Sequence, residues 1–337
     1  MSLVGVTSMS TRGGDTVELR GTNMGPASSS SDTYTLTVRY TSPSGWRTFT
    51  ASACAVTTAH TTMRCTSGEG SGAGHTWEAS VGGQWTATGF TAASSVAYSS
   101  ATVSGVFDNA QSARVVVTAL STVGGQSVRV MGSHMGPVGT PLVVHYQNRT
   151  GSAARWPAAM QLYTAASCAV VVAHDAAECT TVAGVGLGHE WRVTADGVAG
   201  TWSGSTGTAS TTKYAAPVVS SVQVESGAAT LRTAGGEVVV LHGSGFGPGS
   251  SVRMWAASAS AAVSGSVGSA ATLSLRAVEG LGVSGGSGAG ESQSDAAHVV
   301  RAGVCTVTSD TEARCSSGWG VGTDHRWRVM VGGQVSA

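Results

Sequence analysis

The chain has 337 residues, 41% hydrophobic and 11% charged, with 18 basic and 18 acidic side chains and a formal net charge of zero. That hydrophobic content excludes a disordered tail, the balanced charge with Lys213 as sole lysine argues against a nucleic-acid phosphate footprint, and no apolar run is long enough to span a membrane as a helix. The charged fraction is under half of the roughly 25% usual in soluble domains, so either something besides charge solvates the surface or association is its purpose.

In chain order, Met1-Ser2-Leu3-Val4 has neither the basic region nor the apolar core of a signal peptide and enters a short apolar strand directly. Equivalent strands open at Thr102 to Val106 and Val218 to Val222, which divides the chain into units 1–100, 101–216 and 217–337. The links before the second and third units are Tyr98 to Ala101 and Tyr214 to Pro217. Pro217 suits a boundary because it cannot donate to a sheet ladder. Each unit continues with a paired glycine turn, Gly13-Gly14, Gly124-Gly125 and Gly235-Gly236, at an offset of 111 residues both times. Positions three and five after the second glycine are apolar in every copy: Val17 and Leu19, Val128 and Val130, Val239 and Leu241. A period of two predicts a half-buried strand. Turns ending in Gly25-Pro26, Gly136-Pro137 and Gly247-Pro248 close these strands.

The middle of each unit varies, with Trp46 in the first and Trp156 in the second. In the third, an insert at about 249–303, rich in Gly, Ser and Ala, reads as a surface loop or added hairpin. A cassette follows in all three copies. It has two cysteines, Cys54 and Cys65, Cys168 and Cys179, or Cys305 and Cys315, then a glycine-rich stretch, then His75-Thr76-Trp77, His189-Glu190-Trp191 or His325-Arg326-Trp327. Second cysteine to tryptophan is 12 residues each time, and all six cysteines are used. Such phase-locked self-similarity marks a repeat protein. After each histidine the chain alternates: Trp77, Ala79 and Val81 against Thr76, Glu78 and Ser80, with the same in the other copies. Each tryptophan is expected between two sheets, and Gly82-Gly83 and Gly332-Gly333 are expected to be hairpin turns. No helical period of useful length occurs. Short strands with regular turns predict an all-β sandwich class.

The order of paired glycine, V-x-L-x-G, Asn23-Met24-Gly25-Pro26, Cys to Cys, then Gly74-His75-Thr76-Trp77 and Gly82-Gly83-Gln84 resembles the IPT/TIG domain family. The resemblance covers almost the whole chain as three tandem copies. It implies immunoglobulin-like sandwiches in a rod-like array, of the kind found in plexin-type receptors, fibrocystin-like proteins and large surface proteins of algae and protists. The third copy departs from the pattern by its insert and by lacking the segment that Trp85 to Tyr98 and Trp202 to Tyr214 supply, so it is expected to miss its closing strand.

Two strands joined by a nine- or ten-residue connection place their cysteines side by side, which gives the disulfides Cys54–Cys65, Cys168–Cys179 and Cys305–Cys315 and an oxidising compartment. The rival is zinc, with His75, His189 or His325 added to the cysteines and His60 or His174 as fourth ligand. The third copy has Asp310-Thr311 at that fourth position. The histidines before the tryptophans are read as structural side chains at the core edge, since no carboxylate or nucleophile recurs beside them. The glycine-rich loops precede strands rather than helices, so they are not phosphate cradles. Gly282-Val283-Ser284-Gly285-Gly286 matches a nucleophile-elbow pattern without the strand-to-helix context that gives it meaning. No catalytic set and no cofactor is assigned.

Asn148-Arg149-Thr150 is the N-glycosylation acceptor pattern, and Ser/Thr-rich loops offer hydroxyls for further sugar. The expectation is a secreted or cell-surface structural protein, glycosylated, that self-associates into a fibre, filament or coat, its third unit completed by a neighbouring copy or a continuation of the chain. The alternative is a binding module, a receptor ectodomain or carbohydrate-binding region, for which Trp46, Trp156, Trp255 and Trp319 would form an exposed row.

Overall fold

The computed structural model describes residues 2–4, 6–29, 34–87, 89–91, 97–110, 116–148, 161–206, 211–249, 252–258, 299–301, 305–320 and 325–336. The chain forms two compact units, Met1–Ala215 and Ala216–Ala337, and the first contains two sandwiches.

The second repeat shows the pattern most plainly. One sheet orders Thr102–Asp108, Ser127–Ser133, Ala176–Thr180 and Ala166–Val172; the other orders Tyr163–Thr164, Leu142–Asn148, His189–Ala195 and Val198–Ala199. All neighbours are antiparallel. Counted along the repeat, the orders are first-second-sixth-fifth and fourth-third-seventh-eighth, which is the immunoglobulin arrangement. Val106, Val128, Val130 and Ala177 of one sheet pack with Val144, Tyr146, Trp191 and Val193 of the other in a single core. The disulfide joins neighbouring strands of one sheet rather than the two sheets, and the buried tryptophan lies on the seventh strand.

The first repeat has the same plan with one modification. Thr48–Thr58 is a single long strand that pairs with Leu36–Thr41 over its first part and with Thr62–Thr66 over its second. The crossing is made at Ala53, whose φ is +48°, and the register slips between Ser52 and Ala55. Ser167 does the same in the second repeat, with φ +51° and a slip between Ala166 and Ala169. A bulge bends a strand and re-aims the next side chain, and here the next side chain is Cys54 or Cys168.

Within the second unit, Val218–Val224, Val238–Ser244, Glu312–Ser316 and Cys305–Ser309 form one sheet, and Val299–Arg301, Val252–Ser258, His325–Val331 and Gln334–Val335 the other. Two expectations change. The flanks of the segment at about 249–303 are sandwich strands equivalent to Leu142–Asn148 and Tyr163–Thr164, so the insert proper narrows to residues 259–298, which lie outside the described residues. The closing strand expected to be missing is also formed in part within the chain, because Gln334 pairs with Val331 and Val335 with Met330. The cause is local: Gly332 and Gly333 have φ of +56° and +83°, and two positive φ values make the tight turn that suits a two-residue hairpin. Beside Met330 and Val331 that edge is paired within the chain, so no other copy is needed to cover it there.

All-β, tandem immunoglobulin-like sandwiches are therefore the architecture. The six apolar positions read from the glycine-pair strands, Val17, Leu19, Val128, Val130, Val239 and Leu241, are all fully buried. Outward positions on the cassette strand are less uniform than strict alternation implies: Ser80, Glu190 and Met330 are buried on the second face.

Candidate functional site

The three cysteine pairs form the local disulfides Cys54–Cys65, Cys168–Cys179 and Cys305–Cys315. Cys305 and Cys315 are direct register partners. With every thiol oxidised, the zinc alternative loses the thiolates it required. Three disulfides in one chain fit an oxidising compartment.

Trp77 and Trp191 are fully buried, each stacked on the tyrosine opposite it in the neighbouring strand, Tyr40 at 4.0 Å and Tyr146 at 4.3 Å between centroids. His75 meets Tyr40, Phe49 and Tyr98 edge to face, and one nitrogen, Nε2, lies 2.9 Å from the Ser71 carbonyl. That bond is donated by Nε2–H of a neutral ring. Burial lowers the pKa of His75, and lowers that of His189 from 6.5 to about 4. Both histidines are thus neutral core side chains.

The tyrosines that complete these clusters carried no sequence signal beyond their place near the repeat boundary. Tyr98 and Tyr214 come back after the last hairpin of their repeat and enter the core. Gly68 N–H donates to the Tyr40 hydroxyl at 3.1 Å, Tyr40 donates to Tyr98 at 2.6 Å, and Tyr98 donates to the Gly68 carbonyl at 2.9 Å. Val182, Tyr146 and Tyr214 form the same closed cycle at 3.2, 2.8 and 2.8 Å. Burial pushes the Tyr98 and Tyr214 hydroxyls far above the ordinary tyrosine range. The glycine-rich loops are the seats of these rings: a Cβ on Gly70 would stand 2.5 Å from Tyr98, and one on Gly184 2.6 Å from Tyr214.

The third repeat differs here as well. Trp327 pairs with Ala256 where the others pair with tyrosine. His325 and Trp327 are only half-buried, contrary to the expectation of a core tryptophan. The flat partner ring is absent at that register position, and no tyrosine returns among the described residues.

Asn148 is also not where an acceptor needs to be. It is 3% exposed and its Nδ2 donates to the Leu187 carbonyl at 2.8 Å. A glycan on that nitrogen would have to break this bond and turn the amide outward, so the acceptor pattern at Asn148 falls on a buried side chain. Arg149 and Thr150 lie outside the described residues.

Of the aromatics proposed as a sugar-binding row, Trp46 lies at the meeting of the first two repeats. Trp156 lies outside the described residues, Trp255 is placed only as a member of the Val252–Ser258 strand, and Trp319 is 81% exposed.

The meeting of the first and second repeats holds a polar constellation that no motif in the sequence marks. Asp196, in the hairpin turn of the second repeat, accepts bonds from Ser42 Oγ at 2.7 Å, Ser44 Oγ at 2.8 Å and Trp46 Nε1 at 2.8 Å. Arg12 contacts both oxygens of Asp175 at 2.6 Å. His174 Nε2 lies 3.6 Å from Glu69, and Thr140 and Gly136 pack on Ser71. Burial and the nearby Arg12 charge lower the His174 pKa. Asp196 takes the place that glycine holds in the other two hairpins, Gly82 and Gly332, and its φ of +45° is tolerated better by Asp than by most residues. No sequence pattern marks which repeat's hairpin faces which loop.

No family model matches the chain, and no curated protein matches it. Among solved structures it is similar to the full extracellular region of plexin A4 (11% identity, 98% of this chain and 23% of that one, TM-score 0.25). It is also similar to a tetra-tandem repeat in the extending region of a large adhesion protein (13%, 99% and 71%, 0.30) and to FdeC, an Escherichia coli adhesin (15%, 100% and 96%, 0.25). The chain spans about a quarter of the plexin region it matches. At these TM-scores no partner or role passes from those proteins to this one. The chain is a tandem array of immunoglobulin-like β-sandwiches, each stapled by its own disulfide.

Proposed function

We propose that the chain is a structural segment of an extracellular fibre, filament or cell-surface coat, with IPT/TIG-type sandwiches as its repeating element in a rod-like array. The observation that carries this reading is the junction between the first two repeats. A carboxylate with three donors, a two-point arginine pair and buried loop contacts couple one sandwich to the next. Such coupling makes neighbouring repeats resist bending independently, which is what a load-bearing segment needs. The disulfides support an extracellular setting. A coat of O-linked sugar on the Ser/Thr-rich loops would account for solubility at 11% charge.

The test is immunogold labelling of the native source with antibody to the chain. Label along surface fibres or coat supports the reading, and label confined to the cell interior overturns it. Intact mass of the native material checks the sugar: a mass above 33.4 kDa with hexose-type increments is expected, and a bare polypeptide mass rejects it.

A further inference from the structure

We propose that a second copy of this chain docks its first repeat onto the loops around Trp319 of the third repeat, through the same kind of interface that joins the first and second repeats. The proposal rests on the fibre reading above and names its contact.

The junction already described has two halves. One is the loop end of a repeat, made by the turn before the glycine pair and the loop after the second cysteine. In the first repeat this end is held by Gly70 N–H to the Thr11 carbonyl at 2.8 Å and Gly14 N–H to the Ser67 carbonyl at 2.9 Å. The third repeat builds the same end, with Gly320 N–H to Thr233 at 3.0 Å and Gly236 N–H to Ser317 at 2.8 Å. The other half is the turn ending in Gly-Pro, locked to the histidine between the cysteine strands. In the second repeat His174 N–H donates to Gly136 O at 2.7 Å and Met135 N–H to His174 O at 3.0 Å. In the first repeat His60 N–H donates to Gly25 O at 2.6 Å and Met24 N–H to His60 O at 3.2 Å.

Both halves are thus preformed elsewhere in the chain, and there residues are exposed that the junction buries. Thr11 is buried where the second repeat covers it, and its counterpart Thr233 is exposed. His174 and Pro137 are buried at the junction, and their counterparts His60 and Pro26 are exposed. At the position of Glu69, which faces His174, the third repeat presents Trp319, 81% exposed on a bonded loop. An indole held open in water on an ordered loop is the kind of residue that anchors interfaces.

The substitutions on the two faces match. Arg12 becomes Ala234 on the third repeat, and its partner Asp175 becomes Thr61 on the first. Asp196 becomes Gly82. When the third repeat's loop end meets the first repeat's turn end, Ala234 faces Thr61 with no charge on either side, and Trp319 falls against His60 and Pro26. Set against a turn end like that of the second repeat, the same loop end would place Ala234 opposite Asp175 and leave that carboxylate without the arginine that pairs it. This selects the first repeat of another copy as occupant. The contact is heterologous, so it propagates head to tail.

The test is sedimentation velocity of the full chain over a concentration series, for wild type, Trp319→Ala, Thr61→Asp and the double variant Thr61→Asp with Ala234→Arg. All three positions are exposed, and circular dichroism confirms that each variant folds. Wild type is expected to assemble, and Trp319→Ala to weaken assembly roughly thirtyfold, as loss of an interface anchor does. Thr61→Asp is expected to weaken it too, and the double variant to recover it by rebuilding the Arg12–Asp175 type of pair. A wild type that stays monomeric to its solubility limit overturns the proposal, as does assembly indifferent to Trp319→Ala or a double variant no better than Thr61→Asp alone. Surface label with a monomeric wild type would sink this contact and leave the fibre reading standing.

Discussion

At the scale of single residues, the cassette histidines are explained by what surrounds them. His189 sits among Tyr146, Tyr163 and Tyr214, and burial, only partly offset by the backbone of Thr212 and Val185, lowers its pKa from 6.5 to about 4. An unfolded chain therefore takes up the proton before the folded one does. Stability is full above 6.5 and falls as the pH drops toward 4, by about 3 kcal/mol for this group alone. His75, His145 and His174 are shifted in the same direction, so they add to the same slope. The urea midpoint is expected to drop between pH 6.5 and 4 and to drop less in His189→Gln; an unchanged midpoint in wild type would show that these rings are hydrated. The sequence displayed the histidines by their fixed distance from tryptophan. It hid Tyr98 and Tyr214, because a side chain that returns to the core from a boundary segment has no periodicity to announce it. Gly70→Ala tests the seat of Tyr98: overpacking there is expected to cost about 1–3 kcal/mol in thermal unfolding, whereas Gly14, with nothing near its Cβ direction, has no ring to displace.

At the scale of elements, alternation located the strands well wherever one face is dry and the other wet. The glycine-pair strands begin and end close to where the pattern put them, since a one-residue slip would turn Val17 and Leu19 to solvent. The strands leading into the first cysteines were less legible. Thr48–Thr58 belongs to two sheets, and its Ala53 adopts a left-handed conformation that alanine does not advertise. The cysteine pairs were readable from the count of one pair per repeat, and closure of a loop of this size contributes roughly 3 kcal/mol in the chain-entropy account. Replacing Cys168 and Cys179 together by alanine is expected to lower stability by about that amount while the remaining pairs stay oxidised. Peptide mapping without reductant checks the pairing, and a calorimetric scan checks the loss.

At the scale of the whole molecule, the informative feature is that Met1–Ala215 is one unit made of two repeats. Asp196→Ala removes the common acceptor of buried Ser42, half-buried Trp46 and exposed Ser44, at a cost of about 1–3 kcal/mol. It is also expected to split a shared unfolding transition of the two repeats into separate ones by calorimetry. If the transition keeps its shape and position, the coupling lies in the packing of Gly136 and Thr140 on Ser71 instead.

By itself the sequence determined the class, the number of repeats, the disulfide pairs and most of the core. Each of these follows from local periodicity and from self-similarity at a fixed offset, which are properties of a one-dimensional string. Only the tertiary structure decided which hairpin meets which loop, why Asp196 replaces a glycine, where Asn148 points, and that Gln334–Val335 closes its own edge. The junction joins residues 154 positions apart, Asn148 meets Leu187, 39 positions on, and the Gln334–Val335 strand follows a local glycine turn whose pairing is completed by packing, so the repeat spacing does not encode them.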